Sequence, residues 1–195
     1  MSILVTGAAG FIGSNFVRYW AEHHPGDPIV ALDALTYAGV RENVDGIEGV
    51  TFTHTDIGDT DAVAGLLETH AVDRIVNFAA ESHNSLAVVD PARFFRTNVL
   101  GTQGLCEAAK RVGVTRFHHV STCEVYGDLD LETDEMFTEE SPYRPRTPYN
   151  ASKAGGDHAV RAYHATWDLP RTTPNCANNY GAYQFPEQGV PLSTT

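Results

Sequence analysis

Short apolar runs alternate along the chain with longer segments in which apolar residues recur at helical spacing. The apolar runs predict five buried strands, over residues 2–6, 29–32, 50–54, 74–79 and 116–121. The helically spaced segments predict four helices, over residues 11–24, 59–69, 91–112 and 149–167. Because strands alternate with helices, we predict an α/β fold: a doubly wound parallel sheet with helices on both faces.

The loop between the first strand and the first helix carries three glycines, Gly7, Gly10 and Gly13. Glycines here let the backbone turn tightly and approach a pyrophosphate, which the helix N-terminus attracts. Asp33 ends the second strand, where a carboxylate accepts hydrogen bonds from both ribose hydroxyls and repels a 2′-phosphate. This context predicts a Rossmann fold that binds NAD rather than NADP. A glycine trio by itself also fits a purely structural turn.

Two smaller features concern the ends of later strands. Asp56 and Ile57 follow the third strand, where they could contact an adenine, although the pair also fits a plain strand end. Pro174 lies where a sixth strand is expected, and proline is unfavourable in a central strand because it cannot donate a hydrogen bond to the sheet. We therefore predict that residues 1–176 form the NAD-binding Rossmann domain. We expect residues 177–195 to be only the beginning of a truncated C-terminal substrate-binding domain.

A second chemical signal is the pair Tyr149 and Lys153, four residues apart and so on one face of a helix. A phenol is a poor base at neutral pH, because its pKa is about 10, but a nearby ammonium and a bound nicotinamide lower that pKa. Tyr149 could then accept a proton from a hydroxyl while hydride leaves the same carbon, with Ser121 or Thr122 holding the oxygen. The alternative is an amphipathic helix with an exposed lysine and a packed tyrosine.

Composition narrows the class of partner. The 195-residue chain is 42% hydrophobic and has no apolar run of membrane-spanning length. Its net charge of −12 argues against a nucleic-acid partner, which would need a basic surface. The cysteines Cys106, Cys123 and Cys176 are odd in number and widely spaced, so we predict neither a disulfide framework nor a metal site. Free thiols fit a cytoplasmic location.

Several stretches resemble the NAD-dependent epimerase/dehydratase family of extended short-chain dehydrogenases/reductases. They are residues 4–13, 35–39 (Leu-Thr-Tyr-Ala-Gly), 79–83 (Ala-Ala-Glu-Ser-His), 120–129 (with Ser-Thr-x-Glu-Val-Tyr-Gly), 149–157 and 175–181. The glycine loop and Tyr-x-x-x-Lys mark the superfamily. The Leu-Thr-Tyr-Ala-Gly and Ser-Thr-x-Glu-Val-Tyr-Gly stretches are similar to its nucleotide-sugar 4,6-dehydratases.

The resemblance implies a three-stage reaction on a nucleotide-activated hexose. Tyr149 deprotonates the C4 hydroxyl while NAD takes hydride from C4. Glu124 then removes the C5 proton as an acid expels water from C6, and the hydride returns to C6 to give a 4-keto-6-deoxy sugar. The implied catalytic residues are Thr122, Cys123, Glu124, Tyr149 and Lys153.

The resemblance also implies the binding residues and the assembly. The cofactor would contact Gly7, Gly10, Phe11, Ile12, Gly13, Asp33, Leu35, Thr36, Asp56, Ile57, Ala79, Ala80, Thr97, Tyr149, Lys153 and Asn179. The nucleotide-sugar substrate would contact Ser82, Thr122 and Asn178. A full-length protein would form a homodimer through the helices of residues 91–112 and 149–167.

The chain departs from the family pattern at Cys123, where the family has the aspartate proposed to act as the acid. A thiol with a pKa of about 8.5 is protonated at neutral pH and can donate, but a small hydrophobe without a catalytic task fits equally. A nucleotide-sugar 4-epimerase is an alternative function, against which Glu124 argues, since an epimerase removes no C5 proton. An inactive NAD-binding remnant is another, and we expect this 195-residue chain alone to turn over poorly or not at all.

Overall fold

The structure is a computed structural model and describes residues 1–130, 132, 134 and 136–184. The strands in this part of the chain are β1 (Ile3–Thr6), β2 (Ile29–Asp33), β3 (Val50–His54), β4 (Arg74–Asn77), β5 (Arg116–His119), β6 (Ser121–Thr122), β7 (Arg171–Thr172) and β8 (Asn175–Cys176). The α-helices are α1 (Phe11–His23), α2 (Thr60–Thr69), α3 (Asn84–Val89), α4 (Pro91–Phe95), α5 (Thr102–Val112) and α6 (Pro148–Trp167). A π-helical segment, Arg96–Gly101, joins α4 to α5, and Arg41–Val44 and Cys123–Tyr126 are 3₁₀ turns.

Six strands form one parallel sheet in the order β3-β2-β1-β4-β5-β7. The order reverses between β1 and β4, as in a doubly wound sheet, which confirms the predicted fold class. Strands β1 and β2 are buried along their whole length, which explains their uninterrupted apolar sequences. No helix in the described residues has the length and apolar character that a membrane span needs.

Each face of the sheet is covered by its own apolar cluster. One cluster packs α2, α5 and α6 against the sheet and includes Leu4, Val30, Leu67, Ile75, Leu105, Phe117 and Val160. The other packs α1 against the opposite face and includes Ile3, Val5, Val17, Ile29 and Ala31. Alternate residues of β1 therefore point to different clusters, as the two-residue period of a strand requires.

The predicted helix over residues 91–112 is interrupted by the π-helical segment Arg96–Gly101. Hydrophobic spacing did not indicate the interruption, because one extra residue in a turn shifts the spacing only slightly. The segment lies against α6 at two glycines: a Cβ on Gly155 would lie 2.8 Å from Val99 Cγ2, and one on Gly156 would overlap the Asn98 carbonyl oxygen. The two helices thus approach closely. The short helix α3 was not predicted.

Two strand predictions extended too far. The strand predicted over residues 74–79 ends at Asn77, and that predicted over 116–121 ends at His119. Ser121–Thr122 instead pairs with Asn175–Cys176 in a separate two-stranded sheet. Pro174 lies between β7 and β8, and its carbonyl accepts a hydrogen bond from Ser121 N at 2.9 Å. Pro174 comes after the edge strand β7 has ended at Thr172, so its missing N–H removes no hydrogen bond from the main sheet.

Of the predicted substrate region, residues 177–184 are described and contain a turn at Ala182–Tyr183 but neither helix nor strand. This piece folds back onto α1, where Asn15 Nδ2 donates to the Ala182 carbonyl at 2.8 Å and Arg18 lies 4.8 Å from the Tyr183 ring centroid. Residues 185–195, the rest of the predicted region, lie outside the described residues.

Candidate active site

A cleft opens at the carboxyl ends of β1, β2 and β4, where the strand order reverses. Most of the predicted cofactor-binding residues line it: Gly7, Gly10, Phe11, Ile12, Gly13, Asp33, Thr36, Asp56, Ile57, Ala79, Ala80, Thr97, Tyr149 and Lys153. The other two are Leu35, whose backbone N–H donates to Asp33, and Asn179, which lines a neighbouring cleft. The topology therefore collects residues from six separate stretches of sequence at one edge of the sheet.

The glycine loop is packed too closely for side chains. Gly7 has a φ of +63°, and a Cβ there would lie 2.7 Å from the backbone nitrogen of Ala79. A Cβ on Gly13 would overlap the Gly7 carbonyl oxygen. The glycines keep the backbone of the loop open towards the cleft at the N-terminus of α1, which is the arrangement that accommodates a pyrophosphate.

Asp33 is buried at the end of β2, and both of its carboxylate oxygens accept backbone hydrogen bonds. Oδ2 accepts from Ala9 N at 2.9 Å and Oδ1 from Leu35 N at 2.8 Å. Gly39 passes close by, since a Cβ there would lie 2.6 Å from Oδ1. Each oxygen retains a further lone pair, so the carboxylate both organises the glycine loop and can accept hydrogen bonds from a ligand in the cleft.

A second cleft adjoins the first and contains the predicted substrate residues. Its lining includes Ser82, Thr122, Glu124, Tyr149, Asn178 and Asn179, and it shares Phe11, Ile12, Ser82, Val120, Ser121 and Tyr149 with the first cleft. The two clefts therefore meet at Tyr149. Cys176 contributes to this lining whereas Cys123 does not. Cys176 enters the site through its pairing with Thr122 across β6 and β8, which the sequence did not indicate.

Tyr149 lies in the first turn of α6 and is 9% exposed, with its ring packed edge-on against Phe94 at a centroid distance of 6.4 Å. Burial and the Glu124 carboxylate raise the pKa of the phenol, and a hydrogen bond with the Thr122 side chain opposes them. The sequence predicted a lowered pKa for Tyr149, and the chain without a bound nicotinamide does not show it. The reason is that desolvation disfavours the phenolate more than neighbouring groups favour it.

Lys153 is 5% exposed, so the alternative of a solvent-exposed lysine on an amphipathic helix is wrong. Its Nζ donates to the Val120 carbonyl at 2.9 Å, which directs the ammonium to the end of β5. Burial lowers the pKa of Lys153, and the charges of Asp157 and Cys176 oppose this effect. A buried ammonium with one carbonyl partner retains two further N–H groups that can bind a ligand.

The stretch Thr122–Glu124 turns sharply after β6. The Thr122 hydroxyl caps the 3₁₀ turn by accepting from Glu124 N at 3.3 Å, and this places Glu124 in the substrate cleft. Burial and the neighbouring Glu124 raise the pKa of the Cys123 thiol, so Cys123 stays protonated at neutral pH. A protonated thiol fits both sequence interpretations, a proton donor and a small apolar residue.

Three residues near the clefts were not assigned from the sequence. Tyr37 makes hydrogen bonds with Ser82, and Arg93 covers the Tyr37 ring at 5.1 Å from its centroid. The buried Glu81 pairs with Arg93 at 2.7 Å, and Asn98 Oδ1 accepts from Glu81 N at 2.8 Å. The signal for Tyr37 was present in the Leu-Thr-Tyr-Ala-Gly stretch. The signal for Glu81 was likewise present in the Ala-Ala-Glu-Ser-His stretch, whereas Asn98 gave no local signal, because its partners are distant in sequence.

Comparison with known proteins adds to this geometry. The family model described as GDP-mannose 4,6 dehydratase matches residues 4–195. A dTDP-glucose 4,6-dehydratase of Mycobacterium tuberculosis is 47% identical over 196 residues, which cover 100% of this chain. A crystal structure of a dTDP-glucose 4,6-dehydratase from Streptomyces venezuelae with NAD bound superposes with a TM-score of 0.92 at 48% identity over 98% of this chain.

Epimerase structures are similar to a lower degree. A UDP-glucose 4-epimerase of Thermus thermophilus in complex with NAD has a TM-score of 0.87 at 34% identity over 95% of this chain. The chain spans 58% of the length of the Mycobacterium dehydratase and 60% of the Streptomyces structure. Sequence identity is thus higher to these two dehydratases than to the epimerase.

Proposed function

The chain belongs to the GDP-mannose 4,6 dehydratase family, and we propose that it serves the NAD-dependent dehydration of a nucleotide-activated hexose such as dTDP-glucose to a 4-keto-6-deoxy sugar. The observation that carries the proposal is the meeting of two sets of groups at Tyr149. Tyr149 and Lys153 line the first cleft, while Thr122 and Glu124 line the second with Tyr149 between them. A redox pair and a carboxylate base then face the same sugar ring.

The first cleft fits a dinucleotide. The close packing of Gly7 and Gly13 leaves the loop free of side chains at the helix N-terminus, where a pyrophosphate would be held. The remaining lone pairs of Asp33 suit the adenosine ribose hydroxyls, and the same carboxylate would repel a 2′-phosphate, which favours NAD over NADP. NAD, when bound, would supply the hydride acceptor and donor of the reaction.

Tyr149 would accept the proton of the C4 hydroxyl, assisted by Thr122, which contacts the phenol. Because burial raises the pKa of Tyr149, a positive charge must offset that effect before the phenol can ionise. The ammonium of Lys153, held at the end of β5, is suited to this task and to binding the nicotinamide ribose. Asn179, at the border of the second cleft, would complete the cofactor contacts.

The 4-keto group acidifies the C5 proton, which Glu124 would remove as the C6–O bond breaks and water leaves. The departing oxygen needs one proton. Cys123 does not line the substrate cleft, so its protonated thiol would donate this proton through water, and Ser82 and Asn178 would hold the sugar and its phosphates. Removal of a C5 proton distinguishes dehydration from 4-epimerisation, so Glu124 supports the dehydratase over the epimerase.

We further propose that the protein functions as a homodimer. The helices α3 and α4 and the π-helical segment expose large apolar side chains: Val88 is 72% exposed, Val89 81%, Phe95 42% and Leu100 63%. A second copy of the chain would cover these residues through the helices of residues 91–112 and 149–167. Analytical ultracentrifugation of the protein, with Leu100→Glu as the disrupting variant, tests the dimer separately from the activity.

The proposed function is tested with a full-length version of the protein, NAD and dTDP-glucose, because this chain spans only 58% of the Mycobacterium dehydratase and is expected to turn over poorly alone. Calorimetry should detect NAD binding, and mass spectrometry should detect loss of water from the sugar nucleotide. With Glu124→Gln, C4 oxidation should continue while dehydration is blocked. Reduced cofactor should therefore accumulate, and its absorbance measures the amount. Equal loss of both steps would show that Glu124 has a structural role, and a C4 epimer as the product would contradict dehydration.

A further inference from the structure

Beneath the redox pair, a row of polar side chains crosses the interior of the sheet. Thr6, Asn77 and His119 are the last residues of β1, β4 and β5, and the strand registers place them side by side. Thr6 Oγ1 donates to Asn77 Oδ1 at 2.5 Å, and Asn77 Nδ2 lies 3.0 Å from His119 Nδ1. The three residues are 0%, 1% and 1% exposed, so water cannot replace these contacts.

The row fixes the protonation state of His119. Because Asn77 Oδ1 is occupied by Thr6, its amide nitrogen must donate to His119 Nδ1, which therefore carries no proton. Burial lowers the pKa of His119, so the ring is neutral and its proton resides on Nε2. That nitrogen lies 3.2 Å from Asp157 Oδ1. The end of the row thus places the Nε2–H of His119 beside a buried carboxylate, within 3.2 Å but not in the orientation of a full hydrogen bond.

Asp157 is 0% exposed and is surrounded by donors. Its Oδ2 accepts from Ser121 Oγ at 2.7 Å and from Tyr143 OH at 2.9 Å. Burial alone would raise the pKa of Asp157, but His119, Ser121 and the charge of Lys153 hold it below the usual range. An ionised carboxylate therefore persists in the interior, where an isolated charge would be very costly.

This carboxylate lies one helical turn after Lys153 on α6, on the same face of the helix. Lys153 donates to the Val120 carbonyl, and Asp157 accepts from the next residue, Ser121. The junction of β5 and β6 is thus attached to α6 at two successive turns. Thr122 and Glu124 follow this junction directly, so the attachment also sets where they lie relative to Tyr149.

We propose that Asp157, oriented by His119, Ser121 and Tyr143, is a positioning residue that keeps Lys153 in its ammonium form and holds the β5–β6 junction against the redox helix. The charged and titratable groups that face Lys153 are Asp157 on α6, His119 on β5 and Cys176 on β8. Arg161 reaches Asp157 only through Tyr143, whose OH accepts from Arg161 Nη2 at 3.1 Å.

The inference rests on the proposed function, since it gives a reason for the charge of Lys153. It does not require turnover for its test. If Asp157 supplies the opposing charge, its removal leaves burial to act on Lys153 alone, and the ammonium should lose its proton at lower pH. A merely structural Asp157 would affect folding but would not shift the titration of Lys153 in a folded variant.

The test uses NMR of protein labelled with ¹³C at lysine Cε. The chain has two lysines, Lys110 and Lys153, so two signals suffice, and Lys110→Arg assigns them. In Asp157→Asn, which keeps the shape of the side chain, the acid dissociation constant of Lys153 should rise about tenfold or more. Asp157→Glu, which keeps the charge, should restore most of the wild-type value. Lys110, paired with Glu107 at 2.7 Å, is the internal control.

An unchanged Lys153 titration in folded Asp157→Asn, or an equal shift of Lys110, would overturn the inference. If Asp157→Asn does not fold, Tyr143→Phe removes one donor from Oδ2 and should move protonation of Asp157 to higher pH. The Lys153 signal should register that acid inflection, and a signal without one would also overturn the inference. Titration of the same samples with NAD tests the proposed function separately. A shift in the Lys153 titration without NAD binding would contradict the proposed function and leave the inference about Asp157 standing.

Discussion

Gly13 on the first helix lies directly against the carbonyl of Gly7 in the preceding loop, with no room for a Cβ between them. The contact brings the first turn of α1 down onto the end of β1. Since Gly10 N also donates to the Gly7 carbonyl at 3.2 Å, one peptide group organises the whole loop. The loop is therefore sensitive to a single methyl group at one position.

Gly13→Ala should destabilise the fold by about 1–3 kcal/mol, because the loop must shift to admit the methyl group. It should also weaken NAD binding more than it weakens stability, as the displaced loop faces the cofactor cleft. Urea unfolding and calorimetry measure the two effects. Gly65→Ala is the matched control, because a Cβ there meets no atom within 4 Å in helix α2. It should stabilise the protein by about 0.5–1 kcal/mol.

Arg93→Met should destabilise the protein by about 3 kcal/mol, since it leaves the carboxylate of Glu81 buried without its partner. The Glu81 side chain is 4% exposed and that of Arg93 31%. Arg146→Met is the control, because the Arg146–Asp128 pair is 70% and 71% exposed and should contribute less than about 1 kcal/mol. Chemical denaturation measures both. Equal effects would show that Glu81 is not dependent on Arg93.

Asp33→Asn should cost about 1–3 kcal/mol, because an amide can accept from only one of Ala9 N and Leu35 N and turns a donor towards the other. NAD affinity should fall as well, since the loop that Asp33 organises faces the cofactor. Asp56→Asn provides the comparison. Its Oδ1 accepts a single bond from Gly58 N at 2.7 Å, which an amide oxygen can also accept, so stability should change little.

Stability should fall as the pH drops below about 6.5, the pKa of an unfolded histidine. Burial lowers the pKa values of His119 and His118 in the folded chain, so in this range the unfolded state binds more protons than the folded state. Each histidine contributes up to about 1.4 kcal/mol per pH unit. The urea midpoint of unfolding, measured from about pH 5 to about pH 7, should change less with pH in His119→Gln than in the wild-type protein.

His118→Gln serves as the control for that slope, because His118 is only half-buried and bonds the Thr172 hydroxyl at 2.6 Å. It should leave the contribution of His119 in place. Asp157 acts in a different range: its pKa is lowered, so its contribution is present above the unfolded aspartate pKa of about 3.9 and lost as the pH falls further. A slope unaffected by His119→Gln would contradict the neutral, buried ring.

Much of the site could be predicted because its signals are local in sequence. The glycine loop and the Tyr149–Lys153 pair are short patterns set by one turn or one helix face, and the structure brings them to one cleft. Asn77 and His119 gave no such pattern, since 42 residues separate them and only the strand register aligns them. Asp157 belongs to the 149–157 stretch, but its contacts with His119 and Ser121 depend on how α6 packs on the sheet. Cys176 was missed for the same reason, as its place depends on the pairing of β6 with β8.

The π-helical segment and the glycine pair of α6 have a mechanical consequence. Gly155 and Gly156 lie directly against Val99 and Asn98, so at these two positions no side chain of α6 separates the two elements. Asn98 Nδ2 also donates to Ser152 Oγ at 2.9 Å, which further couples them. The segment that contains Thr97 and the helix that contains Tyr149 should therefore move together as one rigid body. Any movement of the clefts then falls to the surrounding loops, and hydrogen exchange should be slow in these two elements and fast in the loops around the clefts.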